Sequence, residues 1–188
     1  MTMELTIIGI LIWVLYLIEE FVLIKPRSAV SESEPVSRCL EWAAFGYLPA
    51  GMAVTLAGIW IRGGGVDFGS ATILGILLCI AGLGLRYWSR RELGRFFTIG
   101  VVKQEDHRVI QTGPYRIIRH PAYLAFLLFY SGFALIGGHW LGVIFLGVPA
   151  AVIFAGLIVV EDAHLASAIG GEYQAYQKKT HRIIPGIW

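Results

Sequence analysis

The chain has 188 residues, of which 56% are hydrophobic and 15% charged, and a formal net charge of +2. So apolar a composition excludes an ordinary soluble domain and fits one integral membrane domain spanning residues 1–188. The basic residues gather in a few loops, which is a topology signal rather than a nucleic-acid footprint, and Cys39 and Cys79 lie too far apart for a zinc motif or a disulfide framework.

In chain order, the first apolar run covers residues 5–24. No basic stretch precedes it and its length matches the ~20 residues that cross a bilayer core, so it reads as a retained anchor rather than a signal peptide. Lys25, Arg27 and Arg38 follow in a loop rich in Ser, Glu and Pro. The second run, 41–61, leads into Arg62 and the Gly63–Gly65 triplet. The third, 70–88, carries Gly75, Gly82 and Gly84, small residues suited to close helix packing. A connection holding Arg90, Arg91, Arg95, Lys103, Arg108, Arg116 and Arg119 comes next. Runs 122–137 and 141–160 are joined so tightly that they form an antiparallel hairpin, with Gly138 and Gly142 available for close approach. Pro149 falls inside the fifth run, where it leaves a carbonyl unpaired and bends the helix. The expected fold is therefore all-α: an integral membrane bundle of about five transmembrane helices, with a lid over its cytoplasmic mouth and an amphipathic C-terminal tail. Lys and Arg cluster in the first and third connections and in the tail (Lys178, Lys179, Arg182). The positive-inside rule then places the N-terminus outside and those regions in the cytoplasm.

The polar residues concentrate at the start of the fourth run. In Asp106–Tyr115 a Gly-Pro turn follows the extended pair Val109-Ile110, and Arg119-His120-Pro121 puts proline at a natural first helical position. His120 then sits near the N-cap, with backbone N–H groups that favour an anionic ligand. An interfacial belt that merely anchors the helix would use arginine and tyrosine but has no need of a histidine between Arg119 and Pro121. Glu161 and Asp162 close the fifth run, and an acid there requires a partner, for which Arg116, Arg119 and Arg182 are available. Glu161-x-x-His164 has di-metal spacing, but only one copy is present, so no metal is expected. His139 and His181 read as solvated or interfacial. No glycine cluster follows a strand, so a Rossmann or P-loop site is not indicated.

The run Gly113-x-Tyr-x-x-x-Arg-His-Pro-x-Tyr123, with His107–Ile110 before it and Glu172-Tyr-x-x-Tyr…Thr-x-Arg-x-x-Pro185 after it, resembles the isoprenylcysteine carboxyl methyltransferase and phospholipid methyltransferase family. The resemblance covers roughly the C-terminal half. It implies a transmembrane helical bundle that binds S-adenosylmethionine near the cytoplasmic surface and takes a lipophilic or prenylated acceptor from the bilayer. Carried over by motif, the donor contacts are His107, Arg108, Val109, Ile110, Tyr115, Arg119, His120, Pro121, Ala122, Tyr123 and Glu161. Glu161, His120 and Arg182 are the catalytic candidates. One departure stands out: where the prenylcysteine enzymes place an arginine one turn before the glutamate, this chain has Leu157. A carboxylate acceptor thereby loses its clamp unless Arg182 or Arg119 substitutes, and an amine, thiol or phenol acceptor would need a base, for which Glu161 or His120 is available.

Two alternatives remain open. Membrane sterol-type reductases have a somewhat similar C-terminal pattern and would bind NADPH, with Arg90, Arg91 and Arg95 for its phosphate. A non-catalytic scaffold would use its basic loop on anionic membrane lipids. The acceptor's identity and the oligomeric state are not encoded in any motif.

Overall fold

The computed structural model describes residues 2–18, 39–40, 42–61, 69–96, 109–137 and 142–188. Among them every extended element is helical, apart from one isolated bridge between Ile118 and His181. The helices are α1 (Thr2–Leu17), α2 (Leu48–Ile61), α3 (Ser70–Leu93), α4 (Pro121–Ile136), α5 (Val148–Ile169) and α6 (Gly171–Lys179). Two helical stretches, Ser70–Leu93 and Val143–Ile169, are long and apolar enough to cross a membrane, and Leu48–Ala57 and Pro121–Ile136 are shorter apolar helices. Both long helices outrun the spans expected from sequence. α3 continues past residue 88 through Arg90 and Arg91, and α5 continues past residue 160, so Glu161 and Asp162 lie inside a helix rather than at its end.

The polarity of α3 is inverted relative to that of a soluble helix. Its buried positions are Thr72, Gly75, Cys79, Gly82, Arg86 and Ser89, whereas Ile73, Leu74, Leu77 and Ile80 point outward. Val148, Val152 and Val159 do the same on α5. A contiguous outward apolar face is costly in water and favourable in hydrocarbon.

The small inward residues let backbones touch. A methyl group at Gly75 would lie 2.6 Å from the Gly132 carbonyl oxygen, one at Gly82 2.7 Å from that of Ala125, and one at Gly132 2.5 Å from that of Gly75. α3 and α4 are thus pressed together along their length by dispersion that bulkier side chains would prevent. Gly84, expected to share this role, meets nothing within 4 Å. The α4–α5 contact is looser at the backbone and largely aromatic: Phe126 stacks on Phe154 at 5.0 Å, and Tyr123 and Tyr130 flank the same ring. Gly142 meets the Ala134 carbonyl, while Gly138 and His139 lie outside the described residues. Tyr16 of α1 closes the core by a 2.7 Å hydrogen bond between its hydroxyl and that of Tyr130.

Pro49 and Pro149 each follow a π-helical turn, Ala43–Tyr47 and Val143–Gly147. A proline has no N–H and its ring collides with the carbonyl four residues earlier, so the wider turn absorbs both defects. For Pro149 the stranded acceptor is the Phe145 carbonyl, and the Tyr47 hydroxyl donates to it at 2.5 Å. The unpaired carbonyl expected from sequence is therefore satisfied from the neighbouring segment.

Candidate functional site

The site is assembled where the chain enters α4. Thr112 precedes a 3-10 turn, Gly113–Arg116, that buries Pro114 and Tyr115. Gly113 sits at φ +54, a left-handed conformation that glycine adopts freely, and a methyl group there would meet the Glu92 side chain at 2.6 Å. Glu92 itself accepts from the Thr112 hydroxyl at 2.7 Å and from the Trp88 indole at 3.1 Å, tying the turn to the end of α3.

After the turn, residues 117–120 pair with the C-terminal tail. The amides of Arg119 and His120 donate to the carbonyls of His181 and Arg182 at 2.7 and 3.0 Å, and the His181 amide returns to Ile117 at 3.0 Å. His120 is the N-cap residue of α4, but its ring does not cap. Its carbonyl accepts the amides of Tyr123 and Leu124, so the helix start is less open to an anion than the sequence implied.

The ring of His120 turns to Asp162, with Nε2 2.9 Å from Oδ1. The same carboxylate accepts from Arg119 Nε at 3.2 Å and Nη2 at 3.1 Å, from Arg182 Nε at 3.0 Å and from the Tyr173 hydroxyl at 2.8 Å. Arg119 Nη1 further donates to the carbonyls of Gln177 and Thr180. Two arginines, a histidine and a tyrosine thus converge on one buried acid, which offsets its desolvation with charge-assisted hydrogen bonds. The latch extends to the turn, since the Tyr176 hydroxyl donates to the Tyr115 carbonyl at 2.6 Å.

The acid at the centre is Asp162, not Glu161. Arg119 and Arg182 supply partners, as the sequence allowed, but Arg116 is exposed and takes no part in the cluster. Glu161, half-buried, lies on another side of α5, within electrostatic reach of the phenols of Tyr115 and Tyr173. Burial, with Glu161 adding to it, pushes the Tyr115 phenol far above its ordinary range, so Tyr115 stays neutral and cannot serve as a base.

Of the other expected donor contacts, Pro121 is buried, and Ala122 and Tyr123 are half-buried on the first turn of α4. The Tyr123 ring lies 5.7 Å from that of His120. Val109 and Ile110 are half-buried, while His107 and Arg108 lie outside the described residues, as does most of the expected lid.

Two residues that the motifs did not flag belong to this neighbourhood. Arg86 is 5% exposed, with its guanidinium carbon 3.8 Å above the Phe126 ring, and Ser89, fully buried and within electrostatic reach of Tyr115, donates its hydroxyl to the Leu85 carbonyl at 2.7 Å. Their signal was present in sequence: an arginine inside an otherwise apolar run is a functional candidate by default.

The phospholipid methyltransferase family model matches residues 70–171, more than half of the chain, from the start of α3 to the start of α6. The chain belongs to that family. It is 29% identical to a protein-S-isoprenylcysteine O-methyltransferase of Schizosaccharomyces pombe over 58% of this chain and 47% of the relative. It is 31% identical to the Saccharomyces cerevisiae protein of the same name over 62% and 49%. Methanethiol S-methyltransferase 1 of Bradyrhizobium diazoefficiens is 26% identical over 98% of this chain and 68% of the relative. The chain spans about half the length of the yeast relatives it matches.

Proposed function

We propose that this chain is an integral membrane enzyme that transfers a methyl group from S-adenosylmethionine to a lipophilic acceptor, prenylated or lipid-like, at the cytoplasmic face. The N-terminus lies outside, as the basic residues of the connections and tail require. The observation that carries the reading is the closure of the C-terminal tail over the start of α4 through Asp162, beside Tyr115, Tyr123 and Glu161. Family membership and the names of the relatives support methyl transfer, and those names include O-methylation of an isoprenylcysteine and S-methylation of methanethiol.

The residues present fit the donor. S-adenosylmethionine carries a sulfonium, an ammonium and a carboxylate, so its site needs aromatic faces and an acid for the cations and cationic donors for the anion. Tyr115, Tyr123 and Glu161 are of the first kind, and Arg119, His120 and Arg182 surround a single carboxylate with surplus positive charge. When bound, the donor supplies an electrophilic methyl group. The protein's own part is to hold the acceptor in line with that methyl and to exclude water, which needs no covalent enzyme intermediate.

Calorimetry of S-adenosylhomocysteine in detergent tests the reading. Binding is expected in the wild type and weakened about tenfold or more in His120→Ala and Glu161→Gln, because each removes a charge-assisted contact worth about 1.5–3 kcal/mol. Thermal protection by NADPH but not by S-adenosylhomocysteine would instead favour a reductase. Binding unaltered in both variants would remove these residues from the site. Incubation with labelled methyl donor and a total lipid extract identifies the acceptor by the species that takes up label.

A further inference from the structure

Leu157, Glu161 and His164 occupy positions i, i+4 and i+7 of α5 and so share one stripe of the helix. Asp162 lies about 100° round the axis and belongs to the tail latch, so the two adjacent acids face different surroundings. On the Glu161 stripe, His164 Nε2 is sealed from solvent and has no hydrogen-bond partner among the described residues. Its backbone carbonyl, by contrast, accepts the Ser167 hydroxyl at 2.8 Å. A buried polar atom left unpaired costs about 1–3 kcal/mol, and one beside a candidate reaction site marks where a polar atom of a ligand completes the pairing.

We propose that His164 Nε2 accepts the proton of a neutral acceptor, and that this acceptor is a lipophilic thiol. The inference rests on the methyltransferase reading above and specifies its substrate. Two features select the class. Leu157, buried and apolar, fills the turn before Glu161, so the stripe offers no cation to hold a carboxylate. A carboxylate also reaches the site already ionised and needs no base, and among acceptors that must lose a proton a thiol, with a pKa of about 8.5, lies nearer the range of imidazole than a phenol or an ammonium, each at about 10. In the step, the S–H bond breaks toward Nε2 to leave a bound thiolate, whose sulfur then forms a C–S bond to the methyl carbon. The sulfonium C–S bond breaks at the same time, its electron pair remaining on the departing thioether sulfur. The imidazolium so formed is stabilised by the Glu161 carboxylate one turn away and returns its proton to water.

The test uses the full chain in detergent with benzyl mercaptan and N-acetyl-S-farnesylcysteine as probes and S-adenosylhomocysteine affinity as the control. The wild type is expected to methylate benzyl mercaptan, and His164→Gln to do so about 100-fold more slowly while its S-adenosylhomocysteine affinity changes by less than about twofold. A thiolate difference absorbance from bound benzyl mercaptan at neutral pH is expected in the wild type and lost in the variant. An unchanged rate in His164→Gln overturns the proposal. So does a wild type that methylates only the farnesylcysteine carboxylate, although that result leaves the methyltransferase reading standing. Loss of S-adenosylhomocysteine affinity in both His164→Gln and His164→Asn assigns the imidazole to donor binding or to folding, and equally overturns it. A wild type that binds no S-adenosylhomocysteine ends both.

Discussion

Asp162 and Glu161 show how neighbouring residues of one type acquire different duties from helical geometry alone. Asp162 is 3% exposed and surrounded by Arg119, His120, Tyr173 and Arg182, so removing its charge strands the Arg119 guanidinium in a poorly solvated setting. Asp162→Asn is expected to destabilise the folded protein by about 3–5 kcal/mol, the usual cost of breaking a buried ion pair from one side. Glu161→Gln, which leaves the Asp162 cluster intact, should cost less stability than Asp162→Asn while weakening ligand binding. Thermal unfolding in detergent distinguishes them, and an equal loss in both variants would contradict this division. The sequence exposed both acids but not their separate roles, because adjacent positions on a helix diverge by about 100° and only the partners decide which one is enclosed. Those partners lie far along the chain, at 119, 120, 173 and 182, where no local pattern links them to residue 162.

At the scale of elements, the apolar runs and the Arg119-His120-Pro121 start of α4 were legible because hydropathy and proline chemistry are local. Less legible was which helices press closest. The short link between the fourth and fifth runs drew attention to that hairpin, whereas the backbone-to-backbone contact lies between α3 and α4, through Gly75, Gly82 and Gly132. Glycines are equally compatible with packing, hinges and lipid-facing surface until a partner is seen, as Gly84 illustrates. Gly132→Leu should force α3 and α4 apart and cost about 1–3 kcal/mol or more, while Gly84→Ala, in open space within a helix, should be neutral or stabilise by up to about 1 kcal/mol. Comparing the two melting temperatures checks this. The two proline-associated π turns were also hidden, since Pro49 and Pro149 announce a defect but not the widened turn or the Tyr47 hydroxyl that resolves it.

Across the whole molecule, the tail unites the site. Tyr115, Tyr173 and Tyr176 are all buried where turn, tail and α5 meet, and burial first of all pushes each phenol above its ordinary range. Their neutral forms are therefore favoured in the folded state. That contribution is complete below the unfolded phenol pKa of about 10 and is lost as pH rises through the higher folded values. Stability should consequently hold up to about pH 10 and fall beyond it, with tyrosinate absorbance appearing together with loss of structure. Phenols that titrate near 10 in the intact protein would refute the burial argument.

The pairing of residues 117–120 with His181 and Arg182 joins stretches some sixty positions apart. Synthesis runs from one end of a chain to the other, so during translation the helices are made before their polar mouth has anything to close it. Arg119 and His120 must wait, hydrated, until His181 and Arg182 have been made. A chain arrested before residue 181 would then carry every described helix yet lack the pairing that closes the mouth.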